Sequence, residues 1–351
     1  MAPRNHNIAV IPGDGIGPEV IAAAIKILEY QCGKSGSCRL NLRWLPYGSD
    51  HYRQHGNYMP ADGLEELKKS EVILFGAVGA QDIPDHISLW QLLLTIRGSF
   101  QQYANVRPIS NLYSPHCVLG SAKIDWMFIR ENSEGEYSGH GGRSHAQQDW
   151  EVATDVSIYT KHGVRRIMRF AFQTASQRSA KHLVVVTKSN ALRNGLVMWD
   201  EVALEVSKEF PDVKWEKELV DAMTVRMVKK PQTIDTVVGT NLHMDILSDL
   251  GAALCGSIGI APSSNLNPER QFPSMFEPVH GSAFDITGKG LANPVGAIWS
   301  ACEMLRWLGE DSDADAIIAA VEQATEAHVC TRDMGGNAST AEMTDSIISL
   351  L

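Results

Sequence analysis

Short apolar runs alternate along the chain with segments in which apolar residues recur at helical spacing. Apolar side chains fill Ile8–Ile11, and Ile21, Ala24, Ile25 and Leu28 then recur on one face of a predicted helix. The same pattern predicts further strands in the runs 72–78, 123–130, 182–187 and 236–240. The polar stretches 138–150 and 262–274 are predicted to be loops. Repeated strand–helix alternation is typical of an α/β fold with a largely parallel sheet.

Composition narrows the class of protein. The chain has 351 residues, of which 44% are hydrophobic and 21% charged, enough for two compact domains or one large α/β unit. The net charge of −10 and the lack of a Lys/Arg-dense stretch argue against nucleic-acid binding. We find no apolar run of about 18 residues, so we expect no membrane span. The first residues lack an apolar leader segment, which favours a cytoplasmic protein.

The six cysteines are scattered along the sequence. They form no CxxC pair and no Cys/His pairing with the spacing of a zinc motif. We therefore expect reduced thiols that share no role.

Two aspartates are the first candidates for chemistry. Asp245 and Asp249 are four residues apart in a segment with helical pattern, so they project from the same face. A divalent cation would turn their mutual repulsion into attraction, and oxygen-only ligands favour Mg²⁺ or Mn²⁺. Asp221 is a third carboxylate just before another helical stretch. By spacing alone, however, such a pair is more often a solvated helix face.

The segment 241–249, NLHMDILSD, resembles the metal-binding helix of the β-decarboxylating dehydrogenases, which act on isopropylmalate, isocitrate, tartrate or D-malate. Further motifs of that family follow in order from 8–18 to Asn293-Pro294. The resemblance implies a two-domain α/β fold, with a central mixed sheet flanked by helices, that is not a Rossmann fold. It implies a cofactor-binding domain at 1–102 plus 259–351, and a substrate, metal and dimerisation domain at 103–258.

The same resemblance assigns the substrate side. Arg97, Arg107 and Arg130 match the three arginines of the family, and the planar guanidinium fork can hold a carboxylate at two points. Tyr137 and Lys188 match its catalytic tyrosine and lysine. A lysine near a metal and arginines can act as a base near neutral pH, and a tyrosine can return a proton to carbon.

The glycine-rich turn at 13–17 is not the dinucleotide fingerprint, because Pro18 occupies the position of its third glycine. The resemblance nevertheless places this turn, with Gly15, beside the cofactor. It also identifies an adenosine-binding loop, whose expected contacts are Glu277, His280, Gly281, Ser282, Ala283, Asp285, Ile286 and Asn293. The carboxylate of Asp285 would accept hydrogen bonds from ribose hydroxyls and repel a 2′-phosphate, so we expect NAD rather than NADP.

The run 85–90, DHISLW, is similar to the tartrate and D-malate branch of that family. Isopropylmalate enzymes usually have Glu where this chain has Trp90, whose indole leaves little room for a branched substituent. With Gln91 and Leu93 it would favour a small substrate such as D-malate or tartrate, unless Trp90 simply packs in a core. The alternative is a 3-isopropylmalate-type enzyme for a larger 3-substituted malate. The residues Gln91, His243, Met244 and Phe284 depart from the family pattern.

The resemblance implies a reaction in three stages: oxidation of the substrate 2-hydroxyl by NAD, loss of CO₂, and protonation of the resulting enolate. Asp221, Asp245 and Asp249 would hold Mg²⁺ or Mn²⁺, Lys188 would act as base and Tyr137 as acid. The family is usually dimeric, so Lys188 and Asp221 are expected to complete the site of the neighbouring subunit. A non-catalytic regulatory subunit is the alternative from another class, and the presence of every catalytic position opposes it.

Overall fold

The computed structural model describes residues 3–112, 117–120 and 124–351. The chain divides into two compact units. Unit 1 comprises Met1–Gln102, Arg107–Ile124 and Ala252–Leu351, and unit 2 comprises Tyr103–Val106 and Asp125–Gly251. The domain ranges predicted from the sequence differ from these units at 107–124 and 252–258.

The strands among the described residues are β1 (Arg4–Gly13), β2 (Cys38–Trp44), β3 (Val72–Ala77), β4 (Ala104–Ser110), β5 (Asp125–Glu131), β6 (Gly135–Ser144), β7 (Val152–Ile158), β8 (His182–Thr187), β9 (Lys214–Leu219), β10 (Thr236–Gly239), β11 (Pro262–Leu266) and β12 (Ser274–Pro278).

The helices are α1 (Gly17–Ser35), α2 (Ser49–His55), α3 (Gly63–Leu67), α4 (Asp85–Ser88), α5 (Leu94–Ser99), α6 (Lys161–Gln177), α7 (Gly195–Ser207), α8 (Val220–Lys229), α9 (Asn241–Leu254), α10 (Val295–Trp307), α11 (Asp311–Glu326) and α12 (Thr340–Leu350). A π-helical turn at Leu89–Leu93 joins α4 to α5. Within the described ranges, no helix combines the length and the apolar character needed to cross a membrane.

Unit 1 contains a mixed arrangement of strands in the order β2-β1-β3-β12-β11. All neighbours in it are parallel except β11 and β12, which pair antiparallel. Helix α1 packs against β3 and α10. Pro18 lies in its first turn, where a missing N–H costs nothing, and Gly36 ends it with a φ of 66°. This left-handed turn lets the chain reverse directly into β2.

Unit 2 contains the parallel strand order β5-β10-β8-β9. Its helix α6 begins where the Thr160 hydroxyl accepts a hydrogen bond from the Gly163 N–H over 2.9 Å. Helix α6 packs on β10 and β8, and α7 packs on β8 and on α6. Strands β6 and β7 form a separate antiparallel ribbon.

The predicted α/β fold, with a mixed sheet flanked by helices, is confirmed. The apolar runs lie in β1, β3, β5, β8 and β10, although Lys123 lies outside the described residues. The two loop predictions are wrong in part, because β6 covers 138–144 and β11 covers 262–266. Most of β6 is exposed on both faces and so lacks apolar alternation. In β11 the polar residues Ser263, Ser264 and Asn265 are buried.

Candidate active site

Asp245 lies at the centre of the predicted chemistry in unit 2. Helix α9 begins two residues after β10 and carries Asp245 in its second turn, half-buried. Arg130, at the end of β5, contacts Asp245 Oδ1 and donates from Nε to Asn241 Oδ1 over 2.8 Å. The Tyr137 hydroxyl donates to Asp245 Oδ2 over 2.9 Å. The predicted metal ligand, substrate arginine and catalytic tyrosine therefore share one carboxylate.

The environment of Tyr137 favours the neutral phenol. Burial raises the pKa of Tyr137, and the negative charge of Asp245 raises it further. The guanidinium carbon of Arg130 lies 5.1 Å from the centre of the tyrosine ring and opposes this effect. A phenol that keeps its proton at neutral pH can serve as a proton donor.

Asp249 lies one turn beyond Asp245 on α9 and is exposed. Their oxygen donors are of the hard type that Mg²⁺ and Mn²⁺ prefer, so these two residues fit such a cation. Among the described residues, no group of three or more side chains close enough to share an ion includes Asp245, Asp249 or Asp221. One chain therefore brings two of the three predicted ligands onto one helix face and leaves Asp221 apart.

Lys188 and Asp221 form a second pair in unit 2. Lys188 directly follows β8, and Asp221 lies in the first turn of α8. Lys188 Nζ donates to Asp221 Oδ1 over 2.5 Å, and this hydrogen bond lowers the pKa of Asp221. The side chain of Asp221 is 65% exposed, so the pair lies at the surface of the unit.

Arg97 in unit 1 is held by another predicted site residue. It is 7% exposed in α5, and its Nη2 donates to Glu277 Oε1 over 2.6 Å. Glu277 Oε1 also accepts from Asn265 Nδ2 over 2.8 Å, which fixes the carboxylate. The Nε of Arg97 is buried without a hydrogen-bond partner. Glu277, predicted to contact the cofactor, thus positions Arg97. Arg107 lies buried in β4.

The π-helical turn presents the residues expected to select the substrate. Trp90 is 41% exposed, so it does not pack in a core, and Gln91 is exposed beside it. Leu93, by contrast, is buried in the apolar cluster of unit 1. The Thr95 hydroxyl donates to the Trp90 carbonyl over 2.7 Å and so supports the turn. Such turns are rare and often mark functional sites.

The two predicted cofactor segments meet in unit 1. Gly15 has a φ of 59°, and a Cβ added there would lie 2.0 Å from the Ser282 carbonyl oxygen. The Ile16 N–H donates to that same carbonyl over 2.9 Å. His280 is buried with its Nε2 unpartnered, and burial lowers its pKa, so its ring is neutral. Asp285 is exposed on the same loop.

The model of the isocitrate/isopropylmalate dehydrogenase family matches residues 7–347. The chain belongs to this dehydrogenase family. A probable tartrate dehydrogenase/decarboxylase of Agrobacterium vitis is 58% identical to it, over 98% of this chain and 97% of the relative. A decarboxylating D-malate dehydrogenase of Escherichia coli (strain K12) is 44% identical, over 99% of each chain. The isocitrate dehydrogenase of Methylococcus capsulatus, 32% identical, superposes with a TM-score of 0.88 over 98% of this chain and 99% of its own.

Two residues near the predicted cofactor segments, Asp14 and Ser49, were not predicted from the sequence. Asp14 accepts from the Ser49 N–H over 2.8 Å and, with its other oxygen, from the Ser49 hydroxyl and the Gly79 N–H. These contacts tie the turn after β1 to two other segments of unit 1. Asp14 and Ser49 line a cavity of about 430 Å³ with Gly15, Arg53 and Phe284. The position of Asp14 between Gly13 and Gly15 was the sequence feature that could have indicated its role.

Asn293, Ala283 and Ile286 complete the predicted cofactor set. The Asn293 side chain donates to Asp333 Oδ2 over 2.8 Å and accepts from the Val295 N–H over 3.0 Å. It therefore fixes the start of α10 as well as the end of the loop. Ala283 and Ile286 are half-buried, and Gly281 is exposed.

Proposed function

We propose that this protein catalyses the NAD-dependent oxidative decarboxylation of a small 2-hydroxy dicarboxylate such as D-malate or tartrate. The observation that carries the proposal is the Asp245 carboxylate, contacted on one oxygen by Arg130 and on the other by the Tyr137 hydroxyl. This reaction requires a group that binds the metal ion, a group that binds a substrate carboxylate and a proton donor. Asp245, Arg130 and Tyr137 would supply these three groups next to one another. The names of the tartrate and D-malate relatives support the same reaction and substrate class.

Asp245 and Asp249 would hold Mg²⁺ or Mn²⁺ together with the partner subunit's Asp221. When bound, the divalent cation supplies Lewis acidity at the substrate oxygens, and NAD⁺ supplies the hydride acceptor. Arg97, Arg107 and Arg130 neutralise the substrate carboxylates. Arg130 can do so once Asp245 is compensated by a cation.

Two residues of the chain move protons. Lys188 takes the proton of the substrate 2-hydroxyl as that carbon is oxidised. After CO₂ leaves, the Tyr137 phenol gives its proton to the enolate carbon, and the raised pKa keeps that proton in place until then. The exposed Asp285 would accept hydrogen bonds from the ribose hydroxyls of NAD and repel a 2′-phosphate.

The protein would act as a homodimer in which each subunit's Lys188 and Asp221 complete the neighbouring site. Lys188 and Asp221 are hydrogen-bonded to each other at the surface of unit 2, which supports their reaching a neighbouring subunit together. In a two-fold symmetric dimer, each subunit would then contribute this pair to the active site of the other.

The substrate is tested by measuring NADH formation with Mn²⁺, NAD⁺ and each of D-malate, L-tartrate, meso-tartrate, isocitrate and 3-isopropylmalate. We expect the highest kcat/KM with D-malate or a tartrate, since Trp90 restricts the room for a branched substituent. A higher kcat/KM with 3-isopropylmalate would replace this substrate class by the larger one. No NADH with any of the five would refute the proposed reaction.

A further inference from the structure

Four ligand-type side chains converge in unit 1, and none of them has been assigned a role above. His6 lies in β1, Cys32 in the last turn of α1, Cys38 at the start of β2, and Glu310 just before α11. All four residues are almost completely buried, with 3–6% of their surface exposed. The left-handed turn at Gly36 brings the two cysteines face to face.

The ligand atoms are close together. The sulfur atoms of Cys32 and Cys38 are 3.2 Å apart, and His6 Nε2 lies 2.9 Å from Glu310 Oε1. The ligand atoms of His6, Cys38 and Glu310 lie within 4.8 Å of one another. Those of Cys32, Cys38 and Asp313 do so too, so Cys38 is common to both groups. An ion bound to Cys38 would therefore lie close enough to Cys32, His6 and Glu310 for small side-chain movements to bring all of them into contact with it.

We propose that Cys32, Cys38, His6 and Glu310 form a structural zinc site. Two thiolates, one imidazole and one carboxylate make a closed four-ligand set of the kind that zinc takes in structural sites. The sulfur donors select zinc over Mg²⁺ or Mn²⁺, which prefer oxygen ligands such as Asp245 and Asp249. The site would join β1, α1 and β2, which are consecutive in the sequence, to the start of α11 near the other end of the chain.

Two contacts outside the cluster orient the proposed metal ligands His6 and Glu310. His6 Nδ1 faces Glu71 Oε2 at 3.3 Å, which leaves Nε2 directed into the cluster. Arg4 Nη2 donates to Glu310 Oε2 over 2.7 Å, which leaves Oε1 on the side of His6. A second group that holds the far side of each ligand is typical of metal centres.

The buried carboxylate of Asp313 further supports a cation in this cluster. It is buried beside both cysteines, and its carboxylate accepts from the neutral donors Gln31 Nε2, at 2.9 Å, and Ser37 Oγ. Neither donor carries a positive charge. Two buried carboxylates, Asp313 and Glu310, thus lie beside a pair of thiols, and the partly exposed Arg4 is paired with Glu310. A divalent cation would compensate this concentration of acidic groups.

Metal analysis of the purified protein tests the proposal. The protein is prepared with a thiol reductant, dialysed against EDTA to remove weakly held cations, and analysed by elemental mass spectrometry. We expect about one zinc ion per chain. Cys38→Ala should lower the zinc content at least tenfold, whereas Cys302→Ala, which removes another fully buried thiol of unit 1, should leave it unchanged.

X-ray absorption at the zinc edge of the wild-type protein gives a readout that does not depend on a variant folding. We expect two sulfur neighbours at about 2.3 Å and nitrogen or oxygen neighbours at about 2.0–2.2 Å. The proposal is overturned if the wild type, reconstituted with Zn²⁺ under reducing conditions, retains no zinc. Equal zinc in the wild type and a folded Cys38→Ala, a zinc shell without sulfur, or a Cys32–Cys38 disulfide in the freshly isolated protein would also overturn it.

Discussion

The Tyr137 hydroxyl donates to Asp245 over 2.9 Å while Arg130 contacts the other oxygen of the same carboxylate. Asp245 is therefore compensated by an arginine of its own unit. A cation at Asp245 would take over that role and release Arg130 for a substrate carboxylate. The contact between these residues would couple cation binding to substrate binding in the proposed reaction.

Replacing Tyr137 by Phe removes the proposed proton donor and retains the ring. We expect kcat for the full reaction to fall roughly 100- to 10,000-fold, the usual contribution of a positioned acid. In single-turnover experiments NADH and CO₂ should still form, and the enol left after the loss of CO₂ should be detectable by chemical trapping. Tyr159→Phe alters another half-buried tyrosine of unit 2 and should leave kcat nearly unchanged. A Tyr137→Phe enzyme with wild-type kcat would exclude the tyrosine as the acid.

Mixed dimers test whether sites are shared. Lys188→Met and Tyr137→Phe should each be nearly inactive as homodimers. When the two are co-expressed, each mixed dimer has one site with an intact Tyr137 and the neighbour's intact Lys188. Since half of the dimers are mixed, we expect about a quarter of the wild-type activity. Lys217→Met, which breaks the similar pair with Asp200, is the control and should stay active. No recovery on co-expression would place Lys188 in the site of its own subunit.

The cofactor preference should follow the charge at Asp285. Changing Asp285 to Lys and Ile286 to Tyr replaces a repulsive group by one that attracts a 2′-phosphate. We expect the ratio of kcat/KM for NAD⁺ to that for NADP⁺ to fall about tenfold or more. Asp285→Ser removes the charge without adding a cation and should give an intermediate ratio. An unchanged ratio in the double variant would show that this loop does not select the cofactor.

Trp90 should limit the size of the substrate. Because it is 41% exposed, Trp90→Ala should change the free energy of unfolding by no more than about 0.5–1 kcal/mol. We expect kcat/KM for 3-isopropylmalate, relative to D-malate, to rise about tenfold. Trp44→Ala, which truncates a similarly exposed indole at the end of β2, serves as the control. Equal ratios in the two variants would mean that Trp90 does not restrict the substrate.

Much of the fold follows from local pattern. The apolar runs of β3, β8 and β10 predict strands because these segments are buried along nearly their whole length, and the helical spacing of α1 predicts a helix because one of its faces is buried. Strand β6 could not be predicted in this way, since among the strands of the described residues it pairs with β7 alone and most of its side chains are exposed. In strand β11 the buried side chain of Asn265 donates hydrogen bonds to the Met275 carbonyl and to Glu277, so its burial leaves no apolar pattern.

The candidate site was predicted residue by residue from the family resemblance, but its contacts were not. Arg97 and Glu277 are 180 positions apart, and Asp14 and Gly79 are 65 apart. Only the folded chain brings such pairs together, so no local spacing indicates them. The same holds for the cysteines. Cys32 and Cys38 match no zinc motif, because His6 and Glu310 join them only through the packing of β1 and α11.

The most direct test of the proposed reaction is the ratio of CO₂ to NADH formed from D-malate and NAD⁺ by the purified protein with Mn²⁺. We expect equal amounts of the two products, with pyruvate as the keto acid, and loss of both when EDTA removes the added cation. NADH without CO₂ would contradict the decarboxylation, and CO₂ without NADH would contradict the oxidation. Undiminished turnover in EDTA would contradict the role of Asp245 and Asp249.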